Sequence, residues 1–330
     1  MRAISYTRFG PAAEVLELTD LPARNPGPGE VTVALERSGV NPSDVKARAG
    51  SRPGVTKPPF DRIVPHSDGA GVITALGQGV GTARRGQRVW IWNGQWQRPF
   101  GTAANHIALP ADQAVPMPDG VSMETGAVLG IPGLTAAQAV FGSGDVTGQT
   151  VLVQGGGGTV GYLAVQLAEW GGAEVIATAS PRDAERVQAA GARAVIPYTE
   201  ADLPAAVRGA TGHTHVDRII DTEFGVNAAA DAELIAPNGT IAAYGSAKDM
   251  APTLPFGPLL FKAARIDILL IYLLPEAERT AAIERLHDAL ATGALSIPIA
   301  HTYPLAEAAA AHEAVEAGGR AGAILLDCRS

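Results

Sequence analysis

The chain has 330 residues, 46% of them apolar and 18% charged, with a formal net charge of −8. The length fits two ordinary domains, and the apolar share is large enough for a substantial core, which excludes global disorder. No block of five or six basic residues occurs, so a nucleic-acid-binding surface is not expected.

Cys328 is the single cysteine, which rules out an intrachain disulfide and a cysteine-built zinc site. The first residues, MRAISYTRFG, lack the long apolar run of a signal peptide. The most apolar segment, Ile266 to Leu274, is interrupted by Asp267 and stops at Pro275, far short of a membrane span. A soluble, cytoplasmic protein is the expectation.

The first 120 residues carry short β-like runs, Val31–Leu35, Gly71–Ala75 and Arg88–Trp92, separated by turn-rich stretches such as Asn25-Pro-Gly-Pro-Gly29. Met123 to Phe141 reads as helical material broken at Ile131-Pro-Gly133, where a loop or kink is expected. A β/α alternation follows. Strands are expected at Val151–Val153, Glu174–Thr178, Ala194–Ile196, Arg218–Asp221, Gly239–Tyr244 and Arg265–Ile271, with helices at Val160–Trp170 and Pro181–Ala190. Such alternation implies a parallel sheet covered on both faces. From Ile297 the chain returns to short runs and ends in Ala323-Ile-Leu-Leu326. The expected fold is α/β: a Rossmann-type doubly wound sheet over residues 123–296, inserted into a β-rich domain formed by 1–122 and 297–330.

Gly156-x-Gly158-x-x-Gly161 follows the strand Val151–Val153 and opens a helix, the context a dinucleotide fingerprint demands. In this reading Gly156 permits the tight turn, Gly158 lets backbone approach a pyrophosphate, and Gly161 lets helix and strand pack. The helix N-terminus offers N–H groups and a positive dipole end to phosphate. The alternative is a glycine-rich turn with no ligand. NAD sites place Asp or Glu at the tip of the next strand. Here that tip reads Ala177-Thr-Ala-Ser-Pro-Arg182. Ser180 is read as a donor to a 2′-phosphate and Arg182 as its charge partner, which favours NADPH. Arg182 as decoration of a surface helix is the other reading, and Asp183 partly opposes a phosphate.

These residues carry a family resemblance. Gly39-Val-Asn-Pro-Ser-Asp44, Pro65-His-Ser-Asp-Gly-Ala-Gly71, Gly86-Gln-Arg-Val89, Gly101-Thr-Ala-Ala104, Leu129-Gly-Ile-Pro-Gly-Leu-Thr-Ala136 and Val151–Gly161 stand in the order and spacing of one superfamily. The chain resembles the medium-chain dehydrogenase/reductases, specifically their zinc-free quinone oxidoreductase (zeta-crystallin-like) branch, over essentially its whole length. The resemblance implies a GroES-like β-rich domain beside the Rossmann domain.

It also implies that no catalytic metal is held. Zinc-dependent members use Cys and His where this chain has Asn41 and Ser67, with His66 one place early. Without zinc no Lewis acid activates an alcohol. The implied chemistry is hydride transfer from NADPH to an electrophilic acceptor, a quinone or an α,β-unsaturated carbonyl, in which protein groups supply position and electrostatics. Reduction of an enoyl group on a biosynthetic intermediate is the alternative within enzymes. A non-catalytic NADPH-binding sensor or structural protein is the alternative outside them.

Residue by residue, the resemblance puts Asn41 near the nicotinamide and substrate carbonyl, or makes it only a turn residue before Pro42. It puts Thr135 on the nicotinamide phosphate side and Gly158, Thr159 and Val160 at the pyrophosphate. Ser180, Arg182 and Tyr198 surround the 2′-phosphate, and Tyr244, Gly245 and Ser246 lie beside the nicotinamide ribose or ring. A tyrosine frequent in relatives after Asn-Pro is replaced by Val45-Lys-Ala-Arg48. Lys46 or Arg48 is then a candidate for stabilising a developing oxyanion, or both are solvated.

The loop Trp90–Phe100 holds three of the four tryptophans. Trp92 and Trp96 are read as a flat wall for a planar substrate, or as a loop buried against the core or a partner. Phe256, opening a second apolar loop to Phe261, is read as closing the pocket. The apolar segment 265–274 is read as an edge strand paired across a two-fold axis, which makes the chain a homodimer.

Overall fold

A computed structural model describes residues 1–51 and 54–330. Seven strands come first: β1 (Arg2–Ser5), β2 (Glu17–Asp20), β3 (Glu30–Val40), β4 (Asp68–Leu76), β5 (Arg88–Ile91), β6 (His106–Pro110) and β7 (Ala114–Pro116). Six follow: β8 (Thr150–Val153), β9 (Glu174–Ala179), β10 (Ala194–Pro197), β11 (Val216–Asp221), β12 (Ile235–Ala243) and β13 (Arg265–Ile268). Two close the chain, β14 (Ile299–Pro304) and β15 (Ala323–Asp327). The chain divides into two compact units, Met1–Ile131 with Ile297–Ser330, and Pro132–Ser296. The first division falls at 131/132 rather than 122/123. The short helix Met123–Gly126 lies against β4 and β5, so close that a Cβ on Gly126 would meet the Ala70 Cβ at 3.0 Å.

The first unit is built on a seven-stranded sheet in the order β14-β15-β3-β4-β5-β7, with β6 on a further stretch of β3. β3 is long enough, at 11 residues, to serve both neighbours. It pairs with β6 over Glu30–Ala34 and with β15 over Arg37–Val40. Its alternating apolar positions Val31, Val33 and Leu35 are buried with Ile73, Val89, Ile91, Ile107 and Leu109, as a sheet with one buried face requires. Cys328 lies in the same core and its thiol is pushed up to about 12, chiefly by burial, so it is inert at neutral pH.

The second unit is a six-stranded parallel sheet in the order β10-β9-β8-β11-β12-β13. Strand β8 is buried at all four residues, as a central parallel strand covered on both faces must be. Leu152, Ile176, Ile219 and Ile241 carry the core between sheet and helices. The order reverses between β8 and β11, and this type of sheet binds its ligand beyond the carboxyl ends of the strands at that point.

Three local expectations change. Ile131-Pro-Gly133 is neither loop nor kink: Leu129–Gly133 forms a π-helical turn that runs directly into the helix Leu134–Phe141. The wider turn accommodates Pro132, which has no N–H to donate to a regular helix. The segment 265–274 is not one strand. β13 ends at Ile268, and Ile271–Leu273 forms a 3-10 turn ahead of Pro275, because β12 supplies backbone partners only as far as Ala243. The helix expected from Pro181 opens as a 3-10 turn, Pro181–Asp183, before Ala184–Ala189.

Candidate functional site

In the second unit the glycine corner joins β8 to the helix Thr159–Trp170. The left-handed residue of the turn is Gly155, at φ +79°, not Gly156. Gly156 serves packing instead, since a Cβ there would lie 3.1 Å from both Ala177 Cβ and Val187 Cγ1. Gly161 allows the close approach of helix to turn: its Cβ would meet the Gly155 carbonyl oxygen at 2.3 Å. Gly158, the residue before the helix, faces open space, its nearest neighbour being the Gly155 oxygen at 3.5 Å. The first intrahelical bond runs from Tyr162 N to Gly158 O. The N–H groups of Thr159, Val160 and Gly161 therefore have no intrahelical acceptor, as at any helix start. An uncluttered glycine beside three donors at the positive end of a 12-residue helix fits a pyrophosphate.

The tip of β9 holds a group that the sequence reading did not assemble. Asp183, buried at 7% exposure, accepts from the Ser180 hydroxyl at 2.6 Å and from Arg186 at 3.1 Å. Arg182 stands 3.5 Å from the same carboxylate with its side chain 64% exposed. Arg186 also donates to Gly157 O at 2.8 Å and lies 4.6 Å above the Tyr162 ring. Burial disfavours the Asp183 charge, but the Ser180 and Arg186 hydrogen bonds outweigh it and hold the carboxyl below its ordinary range. Ser180 thus spends its only hydroxyl hydrogen on Asp183 and is not free to donate to a phosphate, contrary to its reading from sequence. Tyr198 is exposed beside this tip, its backbone N–H on Ala179 O.

Thr135 is buried on the helix Leu134–Phe141. Tyr244, Gly245 and Ser246 leave the end of β12, with Tyr244 N bonded to Asp221 O. A Cβ on Gly245 would strike the Thr222 carbonyl oxygen at 2.4 Å. Ser246 accepts from Gly225 N at 2.8 Å and donates to Asp249 O, which ties it to the loop. Phe256 is 70% exposed at the start of the helix Phe256–Phe261. Beneath the tip of β11, Asp221 and Asp231 lie close enough to influence one another, Asp221 accepting from Asn227 at 2.9 Å and Asp231 from Gln154 at 2.5 Å. Burial raises both carboxyls, and for Asp231 the neighbouring Asp221 charge adds to it. Nothing in the local spacing announces this pair, since both residues sit inside regular elements.

In the first unit, Asn41 precedes the helix Pro42–Ala49 and its N–H donates to Asp44 at 2.8 Å. Its side-chain amide donates to Asp68 at 2.6 Å. Asp68 is fully buried, and its carboxyl is raised well above the usual range by desolvation and by Asp44, against the Asn41 bond. His66, at φ +77°, is also buried, its ring bridging Ser38 Oγ at 2.9 Å and His312 Nε2 at 2.8 Å. Ser67 lies buried between His66 and Asp68. Burial drives both histidines down, His312 to about 3 with a further push from Arg48.

Arg48 is 1% exposed and donates to Gly10 O and to Glu316, so its charge is committed to structure. Lys46 is exposed on the same helix. Trp92 is buried with its Nε1–H on Asp112 O at 3.2 Å, and Trp90 is fully buried, so most of that loop's indole surface belongs to the core. Trp96 is half-buried. Among the described residues, no three His, Cys, Asp or Glu are grouped to hold a metal ion.

The sheet order, the glycine corner at its switch point and the separate β-rich unit define a class: the medium-chain dehydrogenase/reductases. Family models concur, one described as an alcohol dehydrogenase GroES-like domain over residues 27–119 and one as a zinc-binding dehydrogenase over 190–326. A quinone oxidoreductase of Rattus norvegicus is 30% identical over 338 residues, covering 99% of this chain and 97% of the relative. Among solved structures, an NAD-dependent alcohol dehydrogenase superposes with TM-score 0.86 at 30% identity, covering 99% of each chain. An Escherichia coli quinone oxidoreductase complexed with NADPH gives 0.85 at 25% identity, covering 99% of this chain and 100% of the other. Within the superfamily, the chain belongs to the quinone oxidoreductase (zeta-crystallin-like) branch.

Proposed function

We propose that the chain is a zinc-independent, NADPH-dependent reductase that passes hydride to a quinone or an α,β-unsaturated carbonyl. The glycine corner carries the reading: an open Gly158 and the free N–H groups of Thr159, Val160 and Gly161 lie at the switch point of a parallel sheet. These groups would hold the pyrophosphate, and the exposed Arg182 and Tyr198 would flank the adenosine ribose and its phosphate. When bound, the nicotinamide supplies the hydride. Family membership at 30% identity to a quinone oxidoreductase supports the acceptor class.

The zinc-free part rests on the donor set. His66 has a protein partner at each ring nitrogen, and the Asn41 amide is held by Asp68. A metal would have to break these bonds within a fully desolvated centre, at a cost of about 1–3 kcal/mol for each buried group left unpaired. Asn41, fixed at both backbone and side chain, is the candidate group for orienting a substrate carbonyl.

The proposed enzyme is a cytoplasmic homodimer. No helix among the described residues is long and apolar enough to cross a membrane. Ile268, Leu270 and Leu273 are exposed on and just beyond the outermost strand β13, a cluster that a second copy would cover.

The test is NADPH oxidation against a panel of quinones and enones, with metal analysis of the purified protein. Turnover that survives a chelator, in protein without stoichiometric zinc, is expected. Nucleotide binding without turnover on any acceptor would refute the enzymatic reading, and chelator-sensitive turnover would refute the zinc-free one.

A further inference from the structure

The tip of β9 sets a second question, which rests on the cofactor reading above: how the protein tells one nicotinamide nucleotide from the other. We propose that Asp183 is a specificity-determining residue that acts through Ser180, holding the serine hydroxyl as a hydrogen-bond acceptor toward the ribose and so limiting the preference for NADPH over NADH.

The argument starts from the hydroxyl. A serine has one hydrogen to donate and two lone pairs. The Ser180 hydrogen lies on the Asp183 carboxylate at 2.6 Å, a charge-assisted bond of the stronger kind. What Ser180 can still offer is its lone pairs. A ribose 2′-hydroxyl has a hydrogen to give and meets that acceptor well. A 2′-phosphate has only acceptor oxygens when ionised and gains nothing from it.

The carboxylate adds repulsion of its own. Asp183 sits against the glycine corner, where a Cβ on Gly157 would come within 3.0 Å of its Oδ2. Its charge is partly answered by Arg186 at 3.1 Å and by Arg182 at 3.5 Å. Arg186 is further engaged by Gly157 O and the Tyr162 ring. That leaves Arg182, 64% exposed, as the guanidinium of the two that is open to a phosphate. The tip therefore combines one available cation for the phosphate with a carboxylate–serine latch suited to the plain hydroxyl. Neither nucleotide is strongly refused.

Asp183→Asn tests the latch while keeping the side chain's volume: its Oδ1 can still accept from Arg186, and its NH2 replaces the oxygen that accepts from Ser180 and donates to the serine instead. It removes one negative charge and frees the serine hydrogen. The measurement is equilibrium binding of NADPH and of NADH to the full chain, followed by the fluorescence of the reduced nucleotide, so no turnover is needed. The wild-type protein is expected to bind the two within about tenfold of one another. Asp183→Asn is expected to raise the NADPH-to-NADH affinity ratio by about tenfold, roughly the effect of one charge-assisted hydrogen bond gained and one like charge removed.

Ser180→Ala supplies the control against simple misfolding. Alone, it should weaken NADH and leave NADPH within about threefold; added to Asp183→Asn, it should cancel most of the gained preference. An unchanged ratio in Asp183→Asn with normal melting, or a Ser180→Ala that weakens NADPH and spares NADH, overturns the inference while the cofactor reading stands. Failure of the wild-type protein to bind either nucleotide overturns both.

Discussion

Mild acid should loosen the first unit, and one histidine should account for much of the loss. His66 and His312 are buried as neutral rings, bonded Nε2 to Nε2 at 2.8 Å, and the His312 pKa lies at about 3. In the unfolded chain each returns to about 6.5. Protons therefore bind the unfolded state preferentially below pH 6.5, and stability falls with pH until about pH 3. At pH 5 an ordinary histidine is about 97% protonated while His312 stays neutral, a difference of about 2 kcal/mol relative to pH 7.5.

Asp68 titrates with the opposite sign. Its raised carboxyl gains stability as pH falls, so the slope of the wild-type protein alone is a sum of both effects. The comparison with His312→Gln separates them. Glutamine keeps a hydrogen-bonding end for His66 but does not titrate, and Arg48 and Glu316 beside it are unchanged. Urea unfolding read by the buried Trp90, at pH 7.5 and pH 5.0, should show the wild type losing about 2 kcal/mol more than His312→Gln over that interval. Equal losses in the two proteins would refute the account of a neutral buried pair.

Gly161→Val should cost more than tenfold in NADPH affinity, because the added side chain meets the Gly155 carbonyl at 2.3 Å and pushes the helix start off the corner; fluorescence titration checks it, and retained binding would contradict the close-packing role. Arg48→Met should lower stability by about 1–3 kcal/mol, from the lost hydrogen bonds to Gly10 and to the partly exposed Glu316, while NADPH affinity stays within twofold; a collapse of kcat in a normally folded variant would instead restore its reading as a reacting group. Asn41→Ala leaves the Asp68 carboxyl without its 2.6 Å partner and should destabilise by about 1–3 kcal/mol in denaturant titration. Ile268→Lys, on the exposed edge, should give monomers by light scattering at micromolar concentration if the proposed dimer forms there.

What could be read from the residues followed short-range logic. The strand before Gly156 and the helix after Gly161 announce a phosphate corner because the turn, the packing and the helix start all fall within a dozen positions. The same locality failed at finer grain: glycines stand at both 155 and 156, and only backbone geometry shows that the left-handed turn belongs to Gly155. From the sequence Asp183 is a charge that opposes a phosphate, yet its bonds to Ser180 and Arg186 depend on a 3-10 turn that no periodicity predicts.

The histidine pair was beyond reach for a different reason. His66 and His312 are separated by 246 positions and meet only when the C-terminal helix docks. Arg48 and Trp92 show the other limit, since local sequence leaves both a functional and a structural reading open for each and only their long-range contacts bear on the choice. Each proves to be tied down, Arg48 by Glu316 and Gly10 and Trp92 by Asp112 and the core.

The sheet of the first unit has a consequence for how the chain is made. Strand β15 pairs residue 324 with residue 40, so the strand that sits between β14 and β3 is synthesised long after the strand it pairs with. All of 132–296 emerges from the ribosome in between, with its six strands and their helices complete before β15 exists. The second unit can thus fold during synthesis, whereas the first must wait with the edge of β3 over Arg37–Val40 unpaired until residues 323–327 have emerged. Loss of residues 323–327 removes an interior strand of the sheet rather than an edge, and nascent chains stalled before them expose an unpaired strand edge to aggregation.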